Sequence, residues 1–336
     1  MGRGAGNTTV AAAPRRRATP AKQRKNARAR LMRILRPISD YYYQAATRDD
    51  KADKNNWVVI PLLSDAAREL GSEVHSLQVK QGTALENIAA ELIRVHPRHH
   101  RPVDLYGPGV EPGTPLPQRS GATYADGERQ TVVWSRLPRR QVLALADKIK
   151  NEFVDARPSE RTFRHLSVLV NDACQQLRAI DPKDYESEPQ AYVIDIADEV
   201  RDNNGRPREL QLTEMKSSGR LDTGSVRNAL GNTLRARLAL LDYPCRVKVY
   251  AGQAFDSEVS TSFSKAFPKE LFKKGKDFWE PLLPEDLSYE DLKSAWSSAC
   301  SEHRLSANQA LLSEAFDGMS REDQEVLLQQ LLSKLK

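Results

Sequence analysis

The chain has 336 residues, 39% hydrophobic and 29% charged, with a formal net charge of +6, which suits one large folded domain or two smaller ones. No run approaches the roughly eighteen consecutive apolar residues of a membrane span, so the expectation is a cytoplasmic protein with no membrane partner. Cys174, Cys245 and Cys300 are few, scattered and without a CxxC pair, which excludes a disulfide framework and a cysteine zinc cluster.

The positive charge is concentrated at the start. Residues 1–37 hold eleven Lys or Arg and no acid; subtracting eleven from +6 leaves −5 for the other 299 residues. Residues 1–38 therefore read as a basic flexible arm that meets phosphate through Arg15, Arg16, Arg17, Lys22, Arg24 and Lys25. An acid-free, Arg-rich start also suits an organellar transit peptide, although this one lacks Ser.

A helix is predicted over Leu31–Thr47, where Tyr41, Tyr42 and Tyr43 are read as packing residues, and a short apolar segment over Trp57–Leu63. Leu85, Ile88, Ala89, Leu92 and Val95 fall at three- and four-residue steps and predict a helix over Gly82–Val95. Six prolines and three glycines between Pro97 and Pro117 make 97–121 a loop without long regular structure. Gln130–Ser135 reads as a strand. Helices follow over Pro138–Phe153 and Ser159–Ile180, and Asp172 on the second is read as a solvent-facing charge.

The period then changes. Ala191–Val200 and Glu209–Lys216 read as strands joined by Asp202-Asn203-Asn204-Gly205-Arg206, a hairpin turn whose Asn-Gly supplies positive φ. A crossover helix over Ser225–Leu241 and a strand over Arg246–Phe255 complete an α/β fold with a central mixed β-sheet flanked by helices. The core spans 39–283. A C-terminal helical subdomain covers 284–336, with helices over Tyr289–His303 and Arg321–Leu335. Ser288 with Asp291, and Ser320 with Asp323, resemble capping boxes.

The hairpin carries the chemistry. Glu214 and Lys216 share one strand face, with Met215 pointing away. If the turn centres between Asn204 and Gly205, partner numbers sum to 409 and Asp195 lies opposite Glu214. Two carboxylates beside an ammonium suit Mg²⁺, which prefers oxygen ligands and keeps several waters, and suit attack of water on a phosphodiester. The alternative is an ordinary solvated hairpin face, but Val193, Ile194, Ile196, Leu210 and Leu212 mark these strands as buried, where charges need partners. Ser217, Ser218, Gly219 and Arg220 stand at the strand's mouth, small enough to let phosphate approach.

Asp195, then Glu214-Met215-Lys216 nineteen residues on, then a helix and a strand, resembles the PD-(D/E)xK nuclease superfamily. The runs EMKSSGRLDTG, VKVYAGQAF and GKDFW are similar to type II restriction endonucleases of the TdeIII-like group, over roughly residues 72–285. The resemblance implies a restriction-endonuclease-like α+β core and Mg²⁺-dependent cleavage of double-stranded DNA by a homodimer, with a cognate DNA methyltransferase as system partner. It implies that Asp195, Glu214 and the Met215 backbone carbonyl hold metal, that Lys216 orients water, and that Ser217, Ser218 and Arg220 meet DNA. Glu86, in Gly82-Thr83-Ala84-Leu85-Glu86-Asn87-Ile88-Ala89, matches a helix Glu that many such enzymes add. Ile194 stands where the pattern has Pro, and Asp198 is the competing first carboxylate, one register step away on the opposite face.

Two other readings stay open. One is a different PD-(D/E)xK enzyme, a repair nuclease or DNase toxin; the other is a non-catalytic DNA-binding protein. His96, His99 and His100 fit no standard zinc spacing and, with Arg94, Arg98 and Arg101, read as a basic phosphate-contacting loop. No GxxxxGK[ST] or GxGxxG motif is present.

Overall fold

The computed structural model describes residues 20–47, 82–118, 123–157, 159–216, 223–254 and 267–300. The apolar segment Trp57–Leu63, the stretch Arg321–Leu335 expected as a helix, Arg15, Arg16, Arg17, Ser217, Ser218 and Arg220 lie outside these residues. Among the described residues the fold is mixed α/β, with seven α-helices around two sheets, and no helix is long and apolar enough to cross a membrane.

The hairpin organises the larger sheet. Strands β5 (Ile196–Arg201) and β6 (Pro207–Lys216) pair antiparallel, with Ile196 opposite Thr213 and Asp198 opposite Gln211, which is the register expected from the turn. Gly205 takes φ +76°, and the Asp202 carboxylate accepts from the N–H groups of Asn204 and Arg206 at 2.8 and 2.9 Å. Helix α5 (Thr223–Ala239) then carries the chain to β7 (Arg246–Gln253), parallel to β6. The five-stranded sheet is completed by β1 (His99–His100) beside β5 and by β8 (Phe272–Lys274) beside β7.

A second sheet of three strands contains β2 (Asp104–Tyr106), β3 (Thr131–Ser135) and β4 (Gln190–Ile194). Here the structure corrects the sequence reading. Ala191–Val200 is not one strand but two, broken at Asp195, where the chain leaves the three-stranded sheet for the five-stranded one. The Asp195 carbonyl accepts from the Tyr124 hydroxyl at 2.8 Å instead of from a strand neighbour.

Both faces of the larger sheet are covered. On one, Leu210 and Leu212 pack with α3 (Arg139–Asp155), α4 (Phe163–Arg178) and α5. The stripe on α5 is as predicted, with Leu230, Leu234 and Leu238 buried, and α4 opens on Thr162, whose hydroxyl accepts from the His165 N–H at 3.2 Å. Asp172 is exposed on α4. On the other face, Ile196 and Met215 pack with α1 (Pro20–Thr47), α2 (residues 82–95), α6 (Gly275–Trp279) and α7 (residues 289–300). Val95, at the end of the predicted α2 stripe, is 57% exposed.

That second face overturns the picture of a free arm. From Pro20 the basic segment is helical, and Ala27, Leu31, Leu35, Ile38 and Tyr42 bury one side of it. Arg24, expected on phosphate, donates instead to both carboxylate oxygens of Asp291 at 3.0 Å, and Arg28 donates to the Ser294 hydroxyl. Lys25 is exposed on the same helix, and the Lys22 side chain lies outside the described residues. Residues 20–38 and 287–299 thus share an apolar cluster with the sheet, so boundaries at 38 and 283 do not separate arm, core and helical extension. The predicted cap of α7 is present: Ser288 Oγ accepts from Asp291 N–H, and the Asp291 carboxylate accepts from Ser288 N–H at 3.0 Å.

The Pro-rich segment is similarly ordered by contact. Val110 and Leu116 cover Trp134 of β3, whose indole N–H donates to Asp104 at 2.9 Å. His99 and His100 form an edge strand instead of a loop, and Arg101 is buried, donating to the Arg129 carbonyl at 2.7 Å, while Arg98 is exposed. Just beyond β2, a Cβ on Gly107 would stand 1.9 Å from the Ala239 carbonyl oxygen at the end of α5. Gly107→Ala is expected to cost about 1–3 kcal/mol by overpacking, seen as a lower urea midpoint at unchanged m-value. An unmoved midpoint would contradict this approach of α5 to β2.

Candidate active site

The site forms where the two sheets meet. Continuing the β5–β6 register past Ile196 puts Asp195 opposite Glu214, at the point where the strand bends out of the sheet. Asp195 Oδ2 accepts from the Met215 backbone N–H at 2.8 Å, while the Met215 side chain is buried in the apolar cluster on the other face. Alternation then sends Glu214 and Lys216 to the Asp195 side. Lys216 Nζ donates to Glu214 Oε1 at 3.1 Å, and the same oxygen accepts from Asn232 Nδ2 of α5 at 3.2 Å.

A third carboxylate comes from α2. Glu86 is 9% exposed, and its Oε2 accepts from Gln130 Nε2 at 2.7 Å; that same amide nitrogen donates to Asp195 Oδ1 at 3.1 Å. The structure therefore brings together all four residues read as catalytic: Asp195, Glu214, Lys216 and Glu86. It separates Asp198 from them. Asp198 lies on the other strand face, bonded to His99 Nδ1 at 2.7 Å. His96 stacks edge-on against His99 at 4.3 Å, and His100 approaches Glu199 at 3.8 Å.

The electrostatics follow from three acids and one ammonium sharing a poorly hydrated space. Burial pushes the Glu86 carboxyl up to about 7, with Glu214 adding repulsion against the Gln130 hydrogen bond and Lys216. Burial also holds Asp195 well above the usual carboxylate range, reinforced by Glu86 and Glu214 and opposed by Lys216 and the Met215 N–H. Burial disfavours the Lys216 ammonium, but Glu214, Asp195 and Glu86 outweigh it, so its pKa is raised. Fully ionised, the cluster carries two negative charges in excess, the charge of one divalent cation.

The donor set fits Mg²⁺. Asp195, Glu214 and Glu86 offer only hard oxygens, and an ion that keeps several waters needs just one or two protein carboxylates. Among the described residues no group of three or more His, Cys, Asp or Glu side chains is already arranged around a metal position.

Sequence reasoning missed Gln130, Asn232 and Tyr124. Gln130 stands at the head of a wholly buried strand, where a polar side chain needs a partner, and that was the signal there to be read; Asn232 shares its helix with Arg227, Asn228, Arg235 and Arg237 and gave no such signal. The GKDFW run has a supporting role. Phe278 packs on Gly252 of β7, and Trp279 donates its indole N–H to the Ala254 carbonyl at 2.8 Å, which props the strand paired with Met215 and Lys216. No known protein family matches the chain, and neither does any curated protein or solved structure.

Proposed function

We propose that this protein is a Mg²⁺-dependent endonuclease that cuts double-stranded DNA at a specific sequence, a type II restriction enzyme on a restriction-endonuclease-like PD-(D/E)xK core. The observation that carries the reading is the meeting of Asp195 with the Glu214–Met215–Lys216 segment: one carboxylate held by the Met215 N–H, the other paired with Lys216. The hydrogen-bond environment, the burial and the excess negative charge suit a cation-assisted hydrolytic site better than a solvated hairpin face.

Asp195 and Glu214 would hold the ion, with the Met215 backbone carbonyl and Glu86 as further oxygen donors. When bound, Mg²⁺ supplies Lewis-acid activation of water and neutralises phosphate charge. Lys216, held by Glu214, presents a compact cation that orients the attacking water and offsets charge on the phosphate. Asn232 keeps Glu214 turned toward Lys216. A twofold homodimer would match a palindromic site, and basic residues on the solvent side of α1, with Arg220, would contact the backbone. A methyltransferase protecting host DNA is the partner this activity requires.

The test is plasmid DNA incubated with the protein and either Mg²⁺ or chelator, then resolved on a gel. Discrete bands that vanish with chelator are the expected result. A smear would replace sequence-specific cutting with nonspecific nuclease activity, and a mobility shift without cutting would leave a DNA-binding protein.

A further inference from the structure

Glu86 and Asp195 come from different parts of the fold, a helix on one face of the larger sheet and the junction between sheets. Nothing in the β5–β6 pairing brings Glu86 to the metal-binding side. What ties it there is one amide: the two hydrogens of Gln130 Nε2 serve Glu86 Oε2 at 2.7 Å and Asp195 Oδ1 at 3.1 Å. Gln130 is itself buried at 9% exposure, at the start of β3.

We infer that Gln130 is a positioning residue that makes Glu86 a working third carboxylate of the cation site; this rests on the metal-dependent reading proposed above. Two acceptors of one NH₂ group stand about 5 Å apart, whereas two oxygens on one Mg²⁺ are about 3 Å apart in cis and about 4 Å in trans. The amide therefore fixes one oxygen of each carboxylate and leaves Glu86 Oε1 to turn toward an ion. A neutral amide suits this task. An Arg or Lys at position 130 would compete with the cation for the same charge, while an apolar residue would leave Glu86 buried with no donor.

Outer hydrogen-bond partners of metal ligands typically contribute 10–100-fold to affinity. Mn²⁺ titration followed by electron paramagnetic resonance, which counts free ion, gives the readout without any cleavage. Gln130→Met keeps length and removes the donor; it is expected to weaken Mn²⁺ binding about tenfold or more. Glu86→Gln should weaken it by a similar factor. The double variant should be no more than about threefold weaker than either single one, because both changes remove the same contribution. In cleavage assays the Mg²⁺ concentration for half-maximal rate should rise more than the saturated rate falls.

Affinity unchanged within twofold in Gln130→Met, tighter binding, or additive single effects would overturn the inference while leaving the nuclease reading in place. Absence of both Mn²⁺ binding and cleavage in the unaltered protein would overturn that reading, and the inference with it. If Gln130→Met does not fold, Glu86→Gln decides alone: unaltered Mn²⁺ affinity overturns the inference.

Discussion

Lys216→Ala is expected to slow Mg²⁺-dependent plasmid cleavage by about 10²–10⁴-fold, the usual contribution of one positioned group that steers a proton or charge in the transition state, while DNA retention in a gel shift stays unchanged. Lys216 Nζ lies 3.1 Å from Glu214 Oε1 and is the ammonium set against three carboxylates. On the proposed function, its removal takes away the charge that would stand beside the reacting phosphate. Folding survives, because the Lys216 side chain is 25% exposed and Asn232 still donates to the Glu214 oxygen it shared. Lys216→Arg keeps the charge but spreads it over a planar fork that cannot occupy the same point, and impaired cleavage is expected there too. Full activity of the Ala variant would remove Lys216 from the mechanism and leave Glu214 as a structural acid.

Leu35→Ala should destabilise the protein by about 2–5 kcal/mol, the range for emptying a fully buried Leu site. Leu35 is 0% exposed, in the middle of the α1 stripe that packs against the sheet face carrying Ile196 and Met215. Urea denaturation followed by circular dichroism gives the number, with exposed Lys25→Ala on the same helix as the control, expected within about 0.5 kcal/mol. If both variants unfold at the same urea concentration, α1 does not pack on the body, and the basic segment reverts to an appendage. Leu and Lys have similar helix propensities, so the comparison separates burial from propensity.

Local patterns carried a large part of the architecture. The stripe on α2, the cap of α7, the Asn-Gly turn and the β5–β6 register were all legible because each depends on residues within one or two turns or across one tight loop. The register mattered most. Once the turn is placed, the period of two leaves Asp195 facing Glu214 and sends Met215 to the other side, and the structure has both. It also separates Asp195 from Asp198, since residues three apart on a strand face opposite ways.

What was not legible shares a different physical origin. The high charge of residues 20–38 masked the stripe Ala27, Leu31, Leu35, Ile38 and Tyr42, because net charge says nothing of which side of a helix is basic. The break at Asp195 was invisible inside an unbroken β-like run; Tyr124, whose hydroxyl donates to the Asp195 carbonyl there, is 71 residues away. His99 reads as part of a basic loop until Asp198, 99 residues on, is found against it.

Among the described residues the amino-acid sequence by itself determined most of the helices, the hairpin and the pairing of two acids with Lys216, since periodicity and turn chemistry act over short separations. Only the tertiary structure decided that Glu86 joins them, that Gln130 and Asn232 hold them, and that the basic helix is part of the core. Those outcomes depend on hydrogen bonds and apolar contacts between segments distant in the chain, and no local pattern encodes which buried polar group will meet which partner.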